Sequence, residues 1–180
     1  MGGTGLCELL ARSKLIIITC MRPIVYLLCG LGGSGKSTYA QKLVDSGLEK
    51  LSLDEYVYSL YGREIVNLPE NVYLKHYRTA KVELDKKLVS IIQQKQSIVL
   101  DYGFWRRRSR DYYKRLIEAN GGEWKLIYLK ASPEVLMIRL RARNNRTDAN
   151  AFPVTEDMLL SYIERFEEPD NEGETIILQT

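Results

Sequence analysis

Gly30, Gly35, Lys36 and Ser37 lie in the segment GLGGSGKST and satisfy the spacing G-x-x-x-x-G-K-[ST]. Residues of these types in this order can hold a phosphate chain. Lacking a Cβ, Gly30, Gly32, Gly33 and Gly35 let the backbone curl until successive N–H groups point inward at anionic oxygens. Ser34 and Thr38 belong to the same cradle. A helix starting near Lys36 would turn its positive end toward the same anion. Lys36 can reach the outer phosphates, and the Ser37 hydroxyl can ligate Mg²⁺. The competing reading is a glycine-rich turn that binds nothing. The strand-like IVYLLC before the turn and the helix-like segment after it argue against that.

Two acids add to this chemistry. Asp101 closes the apolar run SIVLD, where a carboxylate holds Mg²⁺ directly or through water, or simply starts a turn. Asp54 closes KLSLD, where it can orient an acceptor hydroxyl and take its proton, or cap the helix that follows. The two roles of Asp54 are compatible.

Arg139, Arg143 and Arg146 share one face of a helical pattern, while Arg141 points elsewhere. They read either as guanidiniums that stabilise a transferring phosphoryl group or as a solvated basic face. In FWRRRSR, Arg106, Arg107 and Arg108 crowd a helix N-terminus and oppose its dipole unless an anion sits nearby. A phosphate or acidic group on an acceptor would be such an anion, and solvent-exposed arginines are the alternative. Phe104 and Trp105 read as the floor of an acceptor pocket or as packing beneath a strand end. Tyr56, Tyr58 and Tyr61 read as an acceptor-cleft lining or as packing against the sheet. His76 reads as a packing or surface residue.

Apolar runs alternate with helical patterns along the chain and carry these side chains. Strands are expected at 24–29, 50–54, 97–101, 124–130 and in ETIILQT at the end. Helices are expected at 36–46, after Pro69, over RRRSRDYYKRLIEAN, after a Ser132 cap with Pro133 at the first position, and over TEDMLLSYIERFEE. Val72, Val82, Leu84, Leu88, Ile91 and Ile92 form the apolar pattern of the long helix. Such alternation predicts a parallel sheet covered on both faces. The expected fold class is α/β: a three-layer α/β/α sandwich with a five-stranded, mostly parallel sheet and a small helical lid. Ligands of such sheets sit beyond the carboxyl ends of the strands, where the glycine turn, Asp54 and Asp101 all fall.

The 180 residues fit one domain, and the net charge of +3 is too small to argue for nucleic acid alone. Residues 1–20 read as an extension and 21–180 as a single domain. The alternative is that the first segment adds a strand or helix to the sheet edge. Cys7, Cys20 and Cys29 form no CxxC pair and His76 is the single histidine, so a zinc site is not expected and a reducing cytoplasm is. No apolar run approaches the ~20 residues that span a bilayer.

The segments GLGGSGKST, LSLDEY, IVLDYGFWRR and RLRARN…FPVTEDMLLSYIERFEEP together resemble the small P-loop kinases. The likeness is to AAA-family ATP-binding proteins near zeta toxin, chloramphenicol phosphotransferase and the kinase domain of polynucleotide kinase, and it runs from about residue 24 to the end. It implies ATP and Mg²⁺ as cofactors, Asp54 as acceptor base, and Arg139 and Arg143 as lid arginines, with Arg146 a weaker match. Tyr102 between Asp101 and Gly103, and Trp105 in place of a proline, depart from the adenylate-kinase-like pattern. That puts such a role for Arg106 in doubt. The resemblance implies a phosphotransferase acting on a hydroxyl of a small molecule. The alternatives are a polynucleotide 5′-hydroxyl kinase, nucleic acid being the less favoured partner, and a regulatory ATP-binding module with no acceptor.

Overall fold

The computed structural model describes residues 22–62, 68–144 and 154–180. Residues 1–20 and Arg146 lie outside them. The elements in chain order are β1 (Ile24–Cys29), α1 (Lys36–Asp45), β2 (Glu49–Ser52), α2 (Leu53–Tyr61), α3 (Glu70–Gln93), β3 (Ile98–Gly103), α4 (Arg107–Ala119), β4 (Glu123–Ala131), α5 (Pro133–Arg143), α6 (Glu156–Arg165) and β5 (Glu174–Gln179).

The strands form one sheet of order β2-β3-β1-β4-β5. Each neighbouring pair is parallel, so the described sheet is parallel throughout rather than mostly. Because strand side chains alternate between faces, β1 feeds two cores. Val25, Leu27 and Cys29 pack with Leu84, Leu88 and Ile92 of α3 and with Tyr113 and Ile117 of α4. Leu28 packs with Val99, Ile127 and Ala40 of α1 on the opposite face. A third cluster joins Leu136 and Leu140 of α5 to Leu159 of α6 around Leu31 of the glycine turn. These last helices form the small helical layer beside the phosphate loop.

The caps are local and readable. Ser132 Oγ accepts from Val135 N, with Pro133 opening α5, and Thr155 Oγ1 accepts from Met158 N at α6. Two expectations need correction. The second strand ends at Ser52, not Asp54: Ser52 Oγ caps α2 by accepting from Glu55 N at 3.3 Å. Asp54 therefore lies in the first helical turn, where a carboxylate favours the dipole. Val82 is 52% exposed, because the buried stripe of α3 runs through Ala80, Leu84, Leu88, Ile91 and Ile92 and leaves position 82 on the far side.

Candidate functional site

The turn after β1 is built by backbone geometry. Gly30, Gly33 and Gly35 have φ of 147°, 85° and 91°. A Cβ on Gly30 would stand 2.5 Å from Ser34 Oγ and 2.7 Å from the Leu129 carbonyl oxygen, so no other residue fits there. Ser34, buried beneath the turn, donates its N–H to the Leu31 carbonyl at 3.1 Å. Gly35 is the N-cap of α1 and brings no side chain to cap it, so the first-turn N–H groups, which have no acceptor within a helix, are left for a ligand or solvent.

Lys36 Nζ donates to the Leu31 carbonyl at 2.9 Å, and Ser37 Oγ donates to Asp101 Oδ2 at 2.9 Å. Arg139 Nη1 donates to the Gly33 carbonyl at 3.3 Å, and the Arg143 guanidinium lies 3.9 Å from the Cβ position of Gly32. Helical spacing thus brings Arg139 and Arg143 onto the phosphate loop. Arg141 turns away and pairs with Glu156.

Gly32, Gly33, Gly35, Lys36, Ser37, Asp101, Arg139 and Arg143 line one cleft of about 1060 Å³, which Thr38 and Asp54 also line. Burial lowers the Lys36 ammonium below its ordinary value, and Asp101 and Asp54 offset this only in part. Asp54 is open to the cleft, but the cleft walls displace bulk water around it. That desolvation, with the Asp101 charge behind it, raises its carboxyl above the ordinary value.

The donors fit a magnesium polyphosphate. The glycine cradle offers N–H groups to phosphate oxygens, and Ser37 with Asp101 offers two hard oxygens of the kind that hold Mg²⁺ alongside phosphate and water. Among the described residues no cluster of three or more His, Cys, Asp or Glu makes an all-protein metal cage.

On the far side of Asp54 the cleft is aromatic. Tyr73 and Tyr77 of α3 stack with centroids 5.9 Å apart, and Trp105 meets Tyr162 of α6 at 4.9 Å. All four line the cleft together with Tyr102, Arg106 and Arg165. The sequence reading missed Tyr73, Tyr77, Tyr162 and Arg165. The i, i+4 tyrosines behind Pro69 were the available signal.

Several expected acceptor groups lie elsewhere. Tyr56 and Tyr61 pack against the main core, and Tyr61 also meets His76 with ring centroids at 4.2 Å. Phe104 is different: it is buried in that core, yet it lines the cleft beside its neighbour Trp105. The anion beside the arginine run is the chain's own Glu167. It accepts from Arg107 N at 2.7 Å and from Arg106 Nη1 at 3.0 Å, and so caps α4. Arg108 is exposed.

A parallel sheet of this order, with a phosphate loop leaving its central strand into a helix, is the kinase class of P-loop nucleotide-binding fold. The chain belongs to the AAA domain family, whose model matches residues 25–169. A shikimate kinase of Chlorobaculum tepidum is 32% identical over 120 residues, which is 66% of this chain and 59% of that protein. The chain therefore spans about three-fifths of the curated relatives it matches. Among solved structures, an inferred kinase from Chloroflexus aurantiacus superposes with a TM-score of 0.68 at 20% identity, covering 88% of this chain and 85% of that one. A chain of the Pnkp1/Rnl/Hen1 RNA repair complex also reaches 0.68, at 15% identity over 82% of this chain and 45% of that one. A gluconokinase of Sinorhizobium meliloti reaches 0.60 at 16% identity, over 87% and 83%. These low identities establish the shared fold. Among the described residues no helix is long and apolar enough to cross a membrane.

Proposed function

We propose that the protein is an ATP-dependent phosphotransferase that moves the γ-phosphate of ATP to a hydroxyl of a small molecule. The observation that carries this reading is the continuity of one cleft from the phosphate loop past Asp54 to the aromatic side. An ATP-binding module without an acceptor has no use for that second compartment. Gly30 to Thr38 bind the phosphates, and Lys36, Arg139 and Arg143 face the charge that develops on the transferring group. Ser37 and Asp101 would hold Mg²⁺, which supplies further neutralisation of phosphate charge. Asp54 orients the acceptor hydroxyl and takes its proton as the oxygen bonds to phosphorus and ADP leaves. Its raised pKa brings the carboxylate closer to the range useful for a base. Residues 21–180 are taken as one domain acting in the cytoplasm, with 1–20 an extension.

A second reading has an observation of its own. The aromatic, arginine-bearing far side of the cleft is the kind of surface on which bases stack, which favours an oligonucleotide 5′-hydroxyl. An ATP-consumption screen separates the two, with shikimate, gluconate, nucleosides, aminoglycosides, phenicols, sugar nucleotides and 5′-hydroxyl oligonucleotides as acceptors and Lys36→Ala as the blank. Asp54→Asn is expected to lower transfer about 10²–10⁴-fold while Mg·ATP affinity stays within about threefold. Wild-type turnover by Asp54→Asn would rule out Asp54 as the base. No acceptor-dependent consumption with any of these classes would point to the regulatory module.

A further inference from the structure

Arg110 is fully buried, which is rare for a guanidinium outside a site. Its Nε and Nη2 hold Glu172 in a bidentate pair at 2.8 and 2.5 Å. Its Nη1 donates to two backbone carbonyls, Phe104 at 2.9 Å and Glu167 at 2.8 Å. Lys114 adds a contact to the Glu172 carboxylate at 3.5 Å and donates to the Glu172 carbonyl at 2.7 Å.

The Phe104 carbonyl belongs to a strained turn. Gly103 and Phe104 both have positive φ, 77° and 47°, and a phenylalanine adopts that region only when its surroundings impose it. The same carbonyl also accepts from Cys29 Sγ at 3.3 Å. The next residue is Trp105, whose carbonyl accepts from Glu167 N at 3.0 Å. Tyr162, the partner of the Trp105 ring, sits one turn before the segment that carries Glu167. One guanidinium therefore grips both chain segments that present the Trp105–Tyr162 wall.

We propose that the buried Arg110–Glu172 pair is a positioning device that sets the Trp105–Tyr162 wall, and with it which acceptors the cleft admits. The second half of this statement rests on reading that side of the cleft as the acceptor site. Arg110 touches no reacting atom. It acts by holding the Phe104 and Glu167 carbonyls, and so fixes where Trp105 can stand.

The test reads Trp105 directly and needs no acceptor. The chain has two tryptophans, so Trp124→Phe leaves Trp105 as the only tryptophan, read by excitation at the red edge where tyrosine does not absorb. In that background, Glu172→Gln is expected to raise acrylamide quenching of Trp105 at least about twofold, while fluorescent Mg·ADP binds within about twofold of the parent. If Glu172→Gln does not fold, the near-isosteric apolar pair Arg110→Met with Glu172→Leu keeps the core filled but removes the donor to Phe104, and the same rise is expected. A folded variant with parental Trp105 quenching overturns the proposal. So does failure of both variants to fold, since the pair would then be needed for folding as such. Loss of Mg·ADP binding in the parent would instead strike the kinase reading and leave the Trp105 result standing.

Discussion

Two turns leave neighbouring strands of this sheet and touch through Gly30 N and the Gly103 carbonyl at 3.2 Å, yet they are held by opposite means. The turn after β1 is shaped by glycine and backbone, and folding disfavours the charges around it. Burial pulls Lys36 down, and burial with Asp101 pushes Asp54 up. The turn after β3 is held by side-chain charges that folding favours. The hydrogen bond from Arg110 holds the Glu172 carboxyl below its usual value. Burial alone would lower Arg110, and the hydrogen bond to Glu172, together with the charges of Cys29, Glu172 and Glu167, more than reverses this. On the proposed function the first turn is a site whose electrostatics a polyphosphate would complete, whereas the second is complete in itself. Active sites give up stability in this way, and their supports supply it.

The contrast is sharpest for substitutions that remove one charge from each turn. Lys36→Ala is expected to reduce ATP-dependent transfer by at least about 10²–10³-fold without lowering the melting temperature, as activity assays and calorimetry would report. A clear fall in melting temperature would show that Lys36 supports the fold, and the contrast would break. Glu172→Ala should do the reverse. It strands a buried guanidinium and should cost about 3–5 kcal/mol of stability, read by denaturant unfolding.

The smallest effect is one of pH. A carboxyl raised by folding weakens the folded state wherever it is ionised, and this penalty disappears as pH falls through its folded pKa. In EDTA at neutral pH, Asp54→Asn is therefore expected to melt about 1 °C or slightly more above the parent, the cleft solvent screening the rest. The gap should close near pH 4 and below. For Glu172 the sign is opposite: its contribution is present above the ordinary carboxylate pKa and is lost as pH drops through the depressed value. An Asp54→Asn protein less stable than the parent at neutral pH would remove half of the comparison.

The first turn was legible because everything that makes it is local. GLGGSGKST carries its own glycines, its lysine and its helix start, and an acid at a strand end could be matched to the Ser37 hydroxyl from topology alone. Arg139 and Arg143 followed from helical spacing. Asp54 was placed at the right end of the sheet but on the wrong element, because the Ser52 hydroxyl ended the strand two residues early. The second turn was illegible for a physical reason. Its holding charges lie 62 residues apart, and nothing near Glu172 announces a buried partner. Arg110 was hidden in a run of exposed arginines. The clue was its phase: Arg110, Tyr113 and Ile117 form the buried stripe of α4, and a cation on an apolar stripe requires an anion from elsewhere.

That separation along the chain also orders events during synthesis. As the polypeptide leaves the ribosome, the glycine cradle and its helix emerge long before Glu172. The Phe104 bend therefore has its guanidinium in place well before the anion that holds that guanidinium has been made. Any product that stops short of Glu172 carries the Arg110 guanidinium without its carboxylate, and so with a reason not to bury it.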